Sequence, residues 1–284
     1  MTDPLLEVSD LRVAYPRKGW RREPVEILHG VSIDVRPGET VGLVGESGSG
    51  KTTLGRAILG LAPITGGAIR FEGADITSAD RSQRRQLARD IQVVFQDPYG
   101  SLNPALRIED ILAEPLRAQG IRREIARERV TELLTQVGLP EDAGNRLPRE
   151  FSGGQRQRVA IARALALQPK LIVCDEPVSA LDLSTQARVL DLFVEIQERT
   201  GVALLFVSHD LAVVRHVSHR VAVMYRGDIV EFGRGETVTA DPEHAYTRRL
   251  LMAAPVPHPA EQQERRAERR RILESEAQAM IEAV

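Results

Sequence analysis

The sequence predicts an α/β domain built on a parallel sheet, and three features carry that expectation. An apolar run, Val41 to Val44, leads into GESGSGKT, Gly45 to Thr52, and then into a helical stretch ending near Leu59. Leu171-Ile172-Val173-Cys174 and Val202 to Val207 are short continuous apolar runs that stop at polar residues, as strands covered on both faces do. Between about 104 and 166 the pattern changes. Apolar residues recur at helical spacing in Ile108, Ile111, Leu112 and Leu116, then in Ile125, Val130, Leu133, Leu134 and Val137, which predicts a helical insert within the domain.

The strand, Gly-rich loop and helix order is the context that the phosphate-binding pattern G-x-x-x-x-G-K-[ST] requires. Gly45, Gly48 and Gly50 let the backbone curl its N–H groups around an anion, and Ser47 lies within the loop. Lys51 is placed for β- and γ-phosphates, and Thr52, followed by Thr53, offers a hydroxyl to Mg²⁺. A Gly/Ser turn that merely precedes a lysine is the competing reading, and the flanking strand and helix count against it.

In chain order, Leu5 to Val13 alternates loosely and reads as an edge strand, and Ile27 to Val35 as a second strand. Between them Arg17 to Pro24 is basic and holds the only tryptophan; a solvated turn outweighs a nucleic-acid or headgroup patch there. Ile69 to Phe71 with Asp75-Ile76 suggests a short hairpin, and Arg81 to Asp90 a helix. Ile91 to Phe95 reads as a buried strand ending at Gln96, stopped by Asp97-Pro98. Val189 to Ile196 is helical, and Arg220 to Tyr225 with Ile229 to Phe232 forms a terminal hairpin around Gly227-Asp228. The domain is expected to span 1–256. From 257 to 284 the chain becomes proline-broken, charged and helical in pattern, and Glu264 and Glu268 make its Arg265 to Arg271 cluster a solvated, salt-bridged face.

Composition sets outer limits. A chain of 284 residues with 42% hydrophobic residues supports a sizeable core, and a formal net charge of −2 gives no bulk drive towards nucleic acid. The single cysteine, Cys174, can form no internal disulfide and points to a cytosolic setting as a buried apolar residue. No signal peptide is read at MTDPLLEVSD, and no apolar run approaches the roughly 18 residues that span a bilayer.

Hydrolysis of a γ-phosphate needs a metal, a positioned water and charge stabilisation, and strand ends supply candidates. Asp175 would hold Mg²⁺, and Glu176 would orient or deprotonate water. Gln96 could touch both metal and water, and His209 could donate to the γ-phosphate, though a lone histidine is often a surface or cap residue. Ser152-Gly153-Gly154-Gln155 opens a helix and makes a second anion nest. One triphosphate does not need two nests. This one either caps its own helix or binds a phosphate held by another copy.

These motifs together resemble the nucleotide-binding subunits of ATP-binding cassette (ABC) transporters. The chain carries their phosphate loop, glutamine loop at Gln96, SGGQ signature, LIVCDE strand, SALD turn at Ser179 to Asp182 and switch histidine His209. Phe151 stands before the signature where leucine is usual. The resemblance covers about residues 5 to 256. It implies an ABC ATPase fold, with an antiparallel β subdomain and the inserted helical subdomain, and ATP and Mg²⁺ as ligands. It further implies Tyr15 stacking on adenine, and Ser152, Gly153 and Gln155 clasping ATP held by the facing subunit. Asp182 would communicate across the dimer, and Glu176 would be the catalytic base.

FQDPYGSLNP, Phe95 to Pro104, and HAYTRRLLMAAPVP, His244 to Pro257, are similar to the oligopeptide/dipeptide importer branch. GETVGLVGESGSGKTTLGR, Gly38 to Arg56, looks more like the second, F-type ATPase of such systems, and the iron–sulfur cluster of some first ATPases is not expected with one cysteine. The implied partners are a paralogous ATPase subunit, two transmembrane permeases and an external substrate-binding protein. The implied place is the cytoplasmic face of the cell membrane, with no nucleic acid expected. Nickel or glutathione are alternative cargoes. A soluble nucleic-acid- or ribosome-associated cassette is a rival reading, as is a module that binds ATP without turnover; intact Glu176 and His209 argue against the last.

Overall fold

The computed structural model describes residues 3–17 and 23–253. The basic loop around Trp20 and the 257–284 tail therefore lie outside the described residues. In chain order, β1 (Leu6–Tyr15) and β2 (Val25–Val35) precede β3 (Thr40–Val44), which runs through the Gly-rich loop into α1 (Lys51–Ile58). Then come β4 (Ile64–Phe71), β5 (Ala74–Asp75), α2 (Arg81–Asp90), β6 (Ile91–Val94) and the short α3 (Pro98–Ser101). Helices α4 (Ile108–Ala118), α5 (Arg123–Gln136) and α6 (Gly153–Leu165) follow, with 3-10 turns between the last two. The remainder alternates β7 (Leu171–Asp175), α7 (Leu183–Thr200), β8 (Ala203–Ser208) and α8 (Leu211–Val217), then β9 (Arg220–Tyr225), β10 (Asp228–Arg234), α9 (Gly235–Ala240) and α10 (Ala245–Ala253).

Two sheets result. One is four-stranded and antiparallel, in the order β2-β1-β4-β5; the other is six-stranded, in the order β10-β9-β3-β8-β7-β6. In the larger sheet every pairing is parallel except that of β10 with β9. The apolar runs read as doubly covered strands are so placed. Leu171, Val173, Leu205 and Val207 face the core shared with the antiparallel sheet and α1, while Ile172, Cys174, Leu204 and Phe206 face the core under the helices. Phe206 meets Phe193 of α7 edge-on, with ring centroids 5.3 Å apart.

Two strand expectations need correction. β1 is not an edge: it pairs with β2 on one side and β4 on the other. Its loose alternation has a local cause. A bulge around Asp10, whose φ is 47°, shifts the buried set from Leu6 and Val8 to Leu11 and Val13. β6 stops at Val94 and lies at the sheet edge, so Phe95 is 40% exposed rather than buried. Helix α2 starts at a capping box in which Asp80 and Gln83 exchange side-chain and backbone bonds.

Arg220, the first residue of β9, joins the two sheets. Its guanidinium donates to Asp34 of β2 at 2.7 and 3.0 Å and to Glu39 at 2.6 and 2.8 Å, and it lies 4.7 Å from the Phe232 ring centroid. These bonds hold the Asp34 carboxyl below its usual range.

Candidate active site

Parallel pairing in register brings four strand ends to one edge of the larger sheet. Val44 lies opposite Ser208, Asp175 opposite Val207 and Val94 opposite Cys174. The residues that follow these ends line one cleft of about 580 Å³. Ser47, Gly48, Gly50, Lys51, Thr52 and Thr53 come from the loop and α1, and Gln96, Glu176 and His209 from the other strand ends.

Within the loop, Gly48 and Gly50 take φ of 81° and 109°, open to glycine at little cost. Gly45 is glycine for a different reason: a Cβ there would lie 2.1 Å from the Met224 carbonyl oxygen of β9. Lys51 is buried, and its Nζ donates to the carbonyls of Gly45 at 2.7 Å and Glu46 at 2.8 Å. Burial pulls its pKa down, against the opposing pull of Glu176, Asp175 and Glu46. Thr52 Oγ1 donates to Asp175 Oδ1 at 2.9 Å, and burial pushes the Asp175 carboxyl up despite that bond.

Glu176 is the hub. Its Oε2 lies 3.4 Å from Gln96 Nε2 and 3.1 Å from His209 Nδ1, so three strand ends converge on one carboxylate oxygen. Its backbone φ is 47°, left-handed for a residue with a Cβ, which costs on the order of 1–2 kcal/mol. The Glu176 N–H is tied to the Val207 carbonyl of β8 at 3.1 Å, which helps hold that conformation.

Ser152, Gly154 and Gln155 line a second, separate cleft of about 240 Å³, with Arg158, Thr185, Arg188 and Val189. Ser152 is the N-cap of α6: its Oγ accepts the Gln155 N–H, and Gln155 Oε1 accepts the Ser152 N–H. Gly153 is the first residue of that helix. Asp182 caps α7, accepting from the Thr185 N–H and the Ser184 hydroxyl, and these bonds hold its carboxyl low. Tyr15 ends β1 opposite Val25 and packs against the antiparallel core; the β2 residue lining the cleft is Ile27.

Some support for the loop was not readable from sequence. The Gly227 N–H, in the β9–β10 turn, donates to the Ser49 carbonyl at 2.9 Å, and the Glu46 N–H donates to the Tyr246 hydroxyl at 2.9 Å. The only sequence signal was that both residues lie in stretches rich in turn or motif residues.

A parallel sheet that gathers a lysine-bearing loop, a strand-end aspartate beside the loop threonine, and a glutamate met by glutamine and histidine is a phosphate-loop ATPase cassette. The ABC transporter family model matches residues 28–179, and the chain belongs to that family. It is 53% identical over 236 residues to the oligopeptide transport ATP-binding protein OppD of Mycobacterium tuberculosis, a match covering 83% of this chain and 39% of that protein. It is 49% identical to the glutathione import ATP-binding protein GsiA of Pectobacterium atrosepticum, covering 92% of this chain and 43% of that one. The chain thus spans about two fifths of the length of these relatives. A putative peptide import ATP-binding protein of Brucella ovis is 50% identical, covering 92% of this chain and 82% of its own. Among solved structures, cbiO1 of Clostridium perfringens superposes with a TM-score of 0.75 at 28% identity, covering 85% of this chain and 92% of that one. The dimeric cassette MJ0796 bound to ADP and Pi gives 0.72 at 30% identity, covering 81% and 98%.

The F-type label is corrected by these comparisons: the 53% identical relatives are named OppD. Gly38 to Arg56 is dictated mainly by phosphate binding, so it discriminates poorly between paralogues. Among the described residues no helix is long and apolar enough to cross a membrane.

Proposed function

We propose that this chain is the ATP-hydrolysing subunit of an importer of short peptides, working at the cytoplasmic face of the membrane. Its partners in this reading are a paralogous ATPase, two permease subunits and an external binding protein. Residues 1–256 form the cassette, and the helices between about 104 and 166 form the lobe that meets the permeases. The observation that carries the proposal is the convergence of Gln96 and His209 on Glu176 across the cleft from Lys51. The relatives named for peptide import support the choice of cargo.

In this mechanism Lys51 exchanges its bonds to the Gly45 and Glu46 carbonyls for phosphate oxygens. Thr52, Asp175 and Gln96 would hold Mg²⁺. Their oxygens suit a hard cation, and Asp175, partly desolvated, gains from a cation beside it. When bound, that ion neutralises charge on the β- and γ-phosphate oxygens. Glu176 accepts the proton of the attacking water, while Gln96 and His209 fix the orientation of its carboxylate. Tyr15 stacks on adenine. Ser152, Gly153, Gly154 and Gln155 contact ATP held on the facing subunit.

The test is Glu176→Gln. MgATP binding should persist while turnover falls by at least about a hundredfold; turnover within tenfold of wild type would remove Glu176 from its role. Cargo is tested by uptake of labelled oligopeptides and of glutathione in cells carrying Lys51→Ala. Loss of glutathione uptake alone would favour the second reading, which the GsiA relative motivates.

A further inference from the structure

The HAYTRRLLMA stretch has no part in the chemistry above, yet one of its side chains reaches the phosphate loop. Glu231 of β10 accepts the N–H groups of Glu243 and His244 at 3.0 and 3.1 Å, and His244 Nδ1 accepts the Tyr246 N–H at 3.2 Å. These bonds fix the start of α10. They deliver Tyr246 into a small core beneath α8 and α9, where it is 2% exposed and its ring lies 4.3 Å from that of Tyr225. From there its hydroxyl accepts the Glu46 N–H at 2.9 Å.

That bond has a specific consequence for the loop. The Glu46 residue is held at both its backbone polar groups, its N–H by Tyr246 and its carbonyl by Lys51 Nζ at 2.8 Å. Further along, Gly227 holds the Ser49 carbonyl. Gly45, Gly48 and Gly50 leave this stretch with much conformational freedom, and each tether removes part of it before any phosphate arrives. Order established in advance does not have to be supplied by binding energy.

We propose that Tyr246 is a positioning residue for the phosphate loop: its hydroxyl, carried by α10, pre-sets the Glu46 peptide and so raises affinity for the nucleotide. The inference rests on the loop binding nucleotide, as proposed above. Because the tether acts on the loop and not on Gln96, Glu176 or His209, ATP and ADP are affected in the same ratio.

The experiment compares the purified full chain with Tyr246→Phe and Tyr225→Phe, using titration with MgATP and MgADP, thermal unfolding, and amide exchange at Glu46. Phenylalanine keeps the ring and removes the acceptor. Tyr246→Phe should weaken both nucleotides about twofold to tenfold, the worth of one hydrogen bond. Exchange at Glu46 should speed up while the unfolding midpoint stays close to wild type. Tyr225→Phe, which keeps the stacked pair, should leave affinity unchanged. Equal affinity in folded Tyr246→Phe, or equal weakening in both variants, would overturn the proposal. A wild-type chain that binds neither nucleotide would instead overturn the functional reading beneath it.

Discussion

Gly154 sits in the first turn of α6, where that helix passes α7, and the fit there is set by one methyl group. A Cβ at 154 would lie 2.2 Å from Thr185 Cγ2, while Thr185 Cβ and Oγ1 would lie 3.7 and 4.0 Å away, at ordinary contact. To reach the 3.4 Å of ordinary contact, 3.4 − 2.2 = 1.2 Å of displacement must be found by Thr185 or by the helix itself. Turning the Thr185 side chain to move this methyl gives up the bond its hydroxyl accepts from Arg188 at 3.4 Å. Forced overpacking of this size costs about 1–3 kcal/mol. Gly154→Ala should therefore lower stability by that amount, offset by up to about 1 kcal/mol from the better helix propensity of alanine. Thr185→Ser removes Cγ2 and keeps the oxygen, so the double variant should recover the loss and be at least as stable as Thr185→Ser alone. Denaturant unfolding of the four proteins measures this. If the double variant is as unstable as Gly154→Ala, the methyl is not the cause, and the explanation for the signature glycine fails.

Arg220→Met should destabilise the fold by about 2–4 kcal/mol in denaturant unfolding, less than a fully buried ion cluster because Asp34 keeps about a third of its side chain in water. The Asp34 pKa is lower folded than its ordinary 3.8, first through its bond to Arg220. Its contribution is therefore complete above that value and lost as pH falls through the folded pKa, so the deficit of Arg220→Met should narrow below about pH 4; a gap that widens there would refute the assignment. Burial, reinforced by the Asp175 charge, pushes the Cys174 thiol up, so a thiol-reactive dye should label it only as fast as the protein opens. Rapid labelling of the folded chain would contradict its packing.

Much of the larger sheet was legible because its strands are covered on both faces. Leu171 to Cys174 has no polar residue to confuse a strand with anything else, and it ends in the acidic pair that fixes its direction. Helix α2 starts where local sequence can report it, because Asp80 and Gln83 form a cap within four residues. Failures fall where partners are remote. β9 reads as half of a hairpin, which it is, but its other neighbour is β3, from far earlier in the chain. The Glu46–Tyr246 bond spans 200 residues, and no periodicity reports it. Arg220 likewise shows nothing in its own neighbourhood, since Asp34 lies on β2 and Glu39 in the turn between β2 and β3.

The two nests differ in a way that bears on how they divide their work. In the phosphate loop the carbonyls face Lys51 and the outer polar groups are tied to Gly227 and Tyr246, so a buried ammonium stands ready on the inside. At α6 the capping box already uses the Ser152 and Gln155 N–H groups, leaving those of Gly153 and Gly154 as first-turn donors without an i−4 carbonyl. The nearby cations are engaged as well: Arg158 donates to the Val137 carbonyl and Arg188 to that of Ser184. The second nest thus offers a helix dipole and few free donors, a weak anion site by itself. In the function proposed above, it meets a phosphate already held by the facing cassette. The clefts share no lining residue, and Leu183, beside the α7 cap, is 84% exposed. Under that proposal the half-equipped nest of each cassette is completed by the nucleotide that its neighbour holds.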